Sequence, residues 1–309
     1  NADENAKLVS MADAFDWRVS ASLERIKSAK PDQVAVDEDH QFAGFESYRQ
    51  LIDSGVDVVL IAVPSYFAPI HLKAAIDAGK VVGFVDADIS NSRIGPPACV
   101  GLKYLRSHDD LDSLEGGGAL HFVGAISPNK LVLQQTIATA ALAGRAREVC
   151  DLVIIDTSSV VSGVIGETLK YHKAELVRPD MVVAMQRGAE MEPISGMLKR
   201  FFSVDVTSIP VDPDIIPSGP DERAERRTAA FRKAFAPELG RWRVRSTVFA
   251  PTLPPALEQS RLHGMLVGFQ DGQGGCLGLG SLEYDEGALR VSTNTGEGMQ
   301  GLRIGSLSI

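Results

Sequence analysis

"GKVVGFVDADISNSRIGPP", residues 79–97, decides the fold. Its apolar run, Val81 to Val85, has the continuous hydrophobicity of a strand buried on both faces. The run ends in Asp86-Ala87-Asp88, and a turn closes on Gly95-Pro96-Pro97. Residues two apart on a strand share a face, so Asp86 and Asp88 point the same way. Carboxylates so placed suit a divalent cation or a general base. The alternative is that both only cap the turn.

Working outward, strands and helices alternate. Upstream, "KLVSMADAF" reads as a strand ending at Asp13, followed by a helix over 16–29 with Val19, Leu23 and Ile26 on one side. "ESYRQLIDSG" reads as a short helix stopped by Gly55, "VDVVLIAVP" as a buried strand, and "PIHLKAAIDAG" as a helix ending at Gly79. Downstream, "ALHFVGAIS", "CDLVIIDTSS", "PDMVVAMQR" and "SVDVTSIPV" are strands, with helices between them. The expected fold is therefore α/β: a mostly parallel sheet flanked by helices. Its strands end in Asp86 and Asp88, Ser127, Asp156 and Gln186-Arg187. Ligands of such sheets bind at carboxyl ends of strands, so these polar residues should gather on one edge. Local alternatives exist for Asp156 (an Asx turn before Ser158 and Ser159) and for Ser127 (a helix cap). From residue 241 onward, short strands separated by Gly and Asp turns predict a small all-β domain.

Composition narrows the function. The 309 residues are 44% apolar and 23% charged, ordinary for a soluble chain with ample core. No apolar run reaches membrane-spanning length, so no membrane association is expected. "NADENAKLVS" has neither the basic start nor the apolar core of a signal peptide, and an initiator Met is lacking, as in a fragment. Cys99, Cys150 and Cys276 are far apart, which argues against zinc and disulfides and for reduced thiols in the cytoplasm. The six His show no metal-binding spacing. A net charge of -9 makes the surface as a whole repel nucleic acid, so any such binding needs a local basic patch. Residues 222–245 supply one, with eight Lys or Arg against three acids. There Arg223, Arg227, Phe231 and Phe235 form an i, i+4 stripe, cationic at one end and aromatic at the other. A solvated helix face with Glu222 and Glu225 as partners is the alternative.

Two resemblances follow. Residues 81–309 resemble the P-loop polynucleotide 5′-hydroxyl kinases, a family that includes RNA kinases of pre-mRNA cleavage and pre-rRNA processing. The carriers are "VGFVDADISNSRIGPPACVGL", "HFVGAISPNK", "CDLVIIDTSSVVSG", "ELVRPDMVVAMQR" and "PDERAERRTAAFRKAF", in family order. "LHGMLVGFQDGQGGCLGLGSLEY" resembles the family's C-terminal β-domain. The resemblance implies transfer of the ATP γ-phosphoryl group to the 5′-hydroxyl of RNA or DNA, with Mg²⁺. It implies Asp88 as the carboxylate that activates the hydroxyl, and Asp86 and Asp156 as Mg²⁺-side residues. Ser127 and Asn129 match the segment across the phosphates, Gln186 joins them at a strand end, and Arg223 and Arg227 match an RxxxR lid. Where the family has roughly DxDxGQ, Ser90 and Asn91 stand here.

Residues 1–80 resemble a Rossmann-like fragment of the Gfo/Idh/MocA oxidoreductases, carried by "LVSMADAFDWR" and "YRQLIDSGVDVVLIAVPSYFAPIHLKAAIDAGK". Asp13 matches that family's acidic ribose-binding position. The glycine turn that cradles pyrophosphate and the catalytic Glu-Lys-Pro are both missing, so NAD(P) binding is not expected. The two resemblances meet at Gly79-Lys80-Val81, as in a chimera from gene fusion, design or faulty assembly. This divides the chain into 1–80, 81–240 and 241–309. The kinase's GxxxxGK[ST] should precede the strand at 81, where Pro64-Ser65-Tyr66-Phe67-Ala68-Pro69 stands instead. That loop has no Gly, and its two Pro lack N–H donors. The expectation is a polynucleotide kinase-family protein with crippled ATP use. The alternatives are an oxidoreductase fragment or a non-catalytic nucleic-acid-processing scaffold, and no protein partner is indicated.

Overall fold

The computed structural model describes residues 7–56 and 76–309, apart from 14, 15, 45, 78, 115, 117, 212, 213, 237 and 296. Most of the strand expected at 56–64, most of the helix expected at 69–79, and the loop Pro64–Pro69 lie outside the described residues. The N-terminal part is a small β-α-β unit: β1 (Met11–Asp13), α1 (Asp16–Ala29), β2 (Gln41–Ala43) and α2 (Ser47–Asp53). β1 and β2 pair in parallel as a two-stranded sheet of their own. Val19 and Leu23, four apart on α1, are buried, as the helical spacing requires.

The central part runs β3 (Val82–Ala87), β4 (Cys99–Leu105), α3 (His108–Asp112), β5 (Ala119–Phe122), α4 (Val132–Arg147), β6 (Leu152–Thr157) and α5 (Gly163–Val177). β7 (Met181–Gln186), α6 (Glu192–Phe201), β8 (Asp205–Pro210) and α7 (Pro220–Ala234) follow. Among the described residues, the strands form a sheet of order β5-β4-β3-β6 and a separate pair, β7-β8. Sequence alternation predicts a mostly parallel sheet, and this is corrected: β3–β6 and β7–β8 are parallel, but β3–β4 and β4–β5 are antiparallel. The cause is connection length. Residues 88–98 hold no helix and are shorter than the dozen or more residues of a parallel crossover. The next link carries only the five-residue α3. The chain therefore turns back twice.

β3 is buried on both sides, as its unbroken apolar run demands. Val85 and Ala87 pack with Val100 and Leu102 of β4 under Ala138, Leu142 and Ala146 of α4. Contacts continue across Gly79-Lys80-Val81: Ile76 packs with Val82, Leu105 and Leu152, and the Lys80 amine donates to the Val56 carbonyl at 3.0 Å.

β9 (Gly240–Arg243), β10 (Met265–Gln270), β11 (Cys276–Asp285), β12 (Ala288–Thr293) and β13 (Gly301–Ser308) form an antiparallel sheet of order β13-β10-β11-β12-β9. Its own core holds Val267, Phe269, Leu282, Leu289, Val291 and Leu302. A second cluster joins it to the central part: Cys99 and Phe122 meet Leu266, Cys276 and Leu279, with Phe231 and Phe235 of α7 against them. The backbones touch at Gly305, where a Cβ would lie 2.6 Å from the Gly124 carbonyl oxygen. No larger residue fits there without moving a strand. Among the described residues no helix is long and apolar enough to cross a membrane.

Candidate functional site

The parallel pairing of β3 with β6 sets the site. Register places Asp86 directly beside Asp156 at the carboxyl ends of the two strands. Asp88 follows on the face of Asp86, half-buried. Three carboxylates thus come together from two segments far apart in sequence.

Their environments differ. Asp86 is 1% exposed and uses both oxygens: Oδ1 accepts from the Asp88 amide at 3.1 Å, and Oδ2 from the Ser92 hydroxyl at 3.1 Å and from the Arg93 amide. It thereby fixes the loop 88–93. Burial raises its pKa, and these hydrogen bonds oppose the rise. Asp88 accepts one amide bond, from Ser90 at 2.9 Å on Oδ1. Asp156 is reachable by solvent, yet protein crowds its carboxyl; desolvation, then the charge of Asp86, raise its pKa, against Arg93 and Lys170.

Beneath the carboxylates lie two lysines that the sequence reading passed over. Lys170 and Lys173 of α5 are 9% and 5% exposed. The Lys170 amine donates to Thr157 Oγ1 and to the Ser158 carbonyl, both at 2.7 Å. Burial lowers its pKa to about 8, while Asp156 and Asp88 pull it back up. The Lys173 amine lies 3.5 Å from the Ala87 carbonyl, which also accepts from Gln135 Nε2 at 2.9 Å. Burial, reinforced by Lys170, lowers its pKa to about 7. The signal was available: Gly166, Leu169, Lys170, Lys173, Ala174 and Val177 form the buried stripe of α5, and two amines sit inside it.

Above the carboxylates lies α7. Arg227 Nη1 reaches Ser90 Oγ at 3.4 Å, on the loop that Asp88 enters. Arg223 donates to the Ser218 carbonyl at the start of its own helix. The two arginines expected as a lid are therefore split, with one guanidinium on the 88–93 loop and one holding the helix end. Phe231 and Phe235 dock in the seam with the C-terminal sheet, as the stripe suggested.

Other expected residues lie elsewhere or serve locally. Asp13 ends β1, in a different sheet. Gln186 ends β7, but both ends of its amide are engaged: Nε2 donates to Glu192 Oε1 at 2.7 Å and Oε1 accepts from the Met191 amide at 3.1 Å. In this structure it caps α6. Ser127 and Asn129 are exposed where β5 leads through a single 3-10 turn (Pro128–Lys130) into α4, and Ser127 makes no cap bond there. Asp86, the Mg²⁺-side residue of the resemblance, accepts three hydrogen bonds on its two oxygens and has less room for a cation than Asp88 or Asp156. Among the described residues, no three His, Cys, Asp or Glu side chains gather closely enough to enclose a metal. The oxygens left open, on Asp88 and Asp156, still fit Mg²⁺, which takes one or two carboxylates and completes its shell with water and phosphate.

Residues 65–236 match the family model described as mRNA cleavage and polyadenylation factor CLP1 P-loop. The chain belongs to the CLP1 P-loop family. The match starts ahead of Gly79-Lys80-Val81 and runs through it, taking in the end of the segment that resembles an oxidoreductase. Among relatives, a polyribonucleotide 5′-hydroxyl-kinase of Thermococcus kodakarensis is 24% identical over 84% of this chain and 86% of its own length. One from Pyrococcus abyssi is 32% identical over 51% of this chain, and the chain spans 43% of that relative's length. Among solved structures, Clp1p in a wild-type Clp1p–Pcf11p complex superposes with a TM-score of 0.58 at 11% identity, over 84% of this chain and 77% of that one. A second Clp1p–Pcf11p structure, concerned also with ATP loss in a point mutant, gives 0.57 over 94% and 79%. This CLP1 P-loop chain thus shares the α/β fold of those proteins.

Proposed function

We propose that this chain transfers the γ-phosphoryl group of ATP to the 5′-hydroxyl of a polynucleotide, with polyribonucleotide as the favoured substrate. One observation carries the reading: Asp88, with an oxygen open, follows directly on the strand end where Asp86 pairs with Asp156, and enters the loop that Arg227 touches at Ser90, in a CLP1 P-loop family member. Asp88 orients the 5′-hydroxyl and takes its proton as the new O–P bond forms and ADP leaves. Asp156, with water and phosphate completing the shell, would hold Mg²⁺, which when bound neutralises phosphate charge. Asp86 keeps the 88–93 loop in shape. Arg227 faces the charge that spreads over the transferring group. Lys170 and Lys173 balance the carboxylates from below and grip the ends of both strands.

The sequence carries no GxxxxGK[ST], so turnover should be slow and ATP binding weak. The test is transfer of labelled phosphate from ATP to a 5′-hydroxyl oligoribonucleotide with Mg²⁺. Slow transfer that Asp88→Asn abolishes is expected. Transfer that Asp88→Asn leaves unchanged, or none above background at saturating ATP, sinks the reading.

A further inference from the structure

The C-terminal half of α7 and strand β9 form a second charged surface, outside the carboxylate site. Residues 232–245 hold five cations (Arg232, Lys233, Arg241, Arg243 and Arg245) and a single acid, Glu238, on a chain of net charge -9. Arg241 is neutralised by Glu283. Arg232, Arg243 and Arg245 are exposed and have no ion pair among the described residues.

The placement of Arg243 is costly. Register sets it directly opposite Arg290 on β12. Like charges facing across two strands destabilise a sheet. Arg290 is satisfied by Asp285 at 2.8 Å and Glu286 at 3.5 Å, and Arg243 is left over. Stability alone does not select that arrangement; an anion laid along the strand would.

In sequence Trp242 stands between Arg241 and Arg243, on the opposite face of β9. It pairs with Val291 on the core face of the sheet, yet it is 58% exposed because β9 is the edge strand. A large aromatic ring left in water on one face of an edge strand, with guanidinium groups on the other, lets a single strand wrapped on that edge stack a base and pair its phosphates.

The surface is continuous with the site. Arg227 of α7 touches the loop entered by Asp88. Seven residues on, the Ala234 carbonyl at the helix end accepts from Asn294 Nδ2 at 2.8 Å, next to the end of β12. β9 pairs with β12 immediately beside it. From Arg227 to Ala234 the helix rises about 10 Å, so β9 lies several nucleotides from the reacting end.

We propose that the end of α7 and the edge of β9 form a track for single-stranded polynucleotide, on which Trp242 stacks a base and Arg243 and Arg245 pair with phosphates downstream of the 5′ end. The proposal rests on the polynucleotide reading of the site, but its test does not require transfer. Trp17 and Trp242 are the two tryptophans, so Trp17→Phe leaves Trp242 as sole fluorophore.

Titrating that variant with an oligouridylate of about 20 nucleotides should quench its emission, whereas a dinucleotide should not. Trp242→Ala in the otherwise natural chain should weaken binding, read by anisotropy of a labelled oligonucleotide, roughly 5- to 100-fold. Arg243→Ala with Arg245→Ala alters only exposed side chains, and should make the salt dependence of log K shallower by about 1.4, at about 0.7 per phosphate. Binding that both variants leave unchanged overturns the track, as does a failure to bind the long oligonucleotide. Equal quenching by polyglutamate also overturns it, because the surface would then answer to any polyanion. Binding that depends on Trp242, without phosphoryl transfer, would leave the track standing and remove the kinase reading alone.

Discussion

The floor and the roof of the site use charge in opposite ways. The floor comprises Asp86, Asp88, Asp156, Lys170 and Lys173, and most of its charged groups are fixed by short bonds out of water. The roof is α7, where none of the residues is fully buried and where Arg227 spans 3.4 Å to Ser90. Buried charges interact strongly and cannot be removed singly without stranding a partner. Exposed ones are screened and adjustable. A phosphoryl-transfer site needs both kinds: a fixed floor to hold the hydroxyl and a looser roof for ligands to pass. On the proposed function, the larger share of rate belongs to the floor.

The strongest attempt to break that contrast is Asp88→Asn, expected to lower kcat by about 10²–10⁴-fold, the usual share of a general base. Lys173→Met comes next. Loss of a group that orients reacting residues without touching substrate costs about 10–100-fold. Here kcat should fall with little change in KM, and Tm should not fall, because an apolar side chain suits this buried place. A loss of Tm matching the loss of rate would make Lys173 merely structural.

The same variant carries a pH signature. The folded Lys173 pKa, about 7, lies below the value of about 10.4 in an unfolded chain. Between those values the unfolded state binds more protons, so Lys173 makes stability rise with pH across that window. Denaturant unfolding at pH 6 and pH 9 should show the natural chain gaining on Lys173→Met as pH rises; parallel behaviour contradicts the assignment.

On the roof, Arg227→Ala should cost about tenfold in kcat, the value of one charge-assisted bond in the transition state. High salt should narrow the difference. Smallest of all, Arg223→Ala should leave kcat within about twofold, since Arg223 holds the end of its own helix. Equal losses from the two arginines would show that the helix slides on binding ligand and brings both over the site.

This contrast also explains what could be read in advance. Asp86 and Asp88 were legible because an apolar strand ending in carboxylates is a local pattern. So was the division of α7 into a cationic and an aromatic half, seen now as Arg227 over Ser90 and Phe231 with Phe235 in the seam. The strand Cys99–Leu105 escaped, because its antiparallel return depends on the length of the loop before it rather than on its own composition. The cap made by Gln186 was not legible, because a polar residue at a strand end looks the same whether it meets a ligand or caps the next helix. Lys170 and Lys173 escaped for a different reason: on a helix, lysine is read as solvated by default, and only the stripe they interrupt tells otherwise.

The seam at Gly124 and Gly305 bears on how the protein is made. The Gly124 carbonyl accepts from the Ser306 amide at 2.7 Å, and the bonded residues lie 182 positions apart in the chain. Phe231 and Phe235, which anchor the roof, lean on Leu266, Cys276 and Leu279, all synthesised after them. Domains emerging from a ribosome tend to fold in order of synthesis. Here the aspartate strand can form early, but α7 gains its seat only once β10 and β11 have been made. The order of synthesis thus puts the carboxylate edge ahead of the surface on which its arginine helix rests.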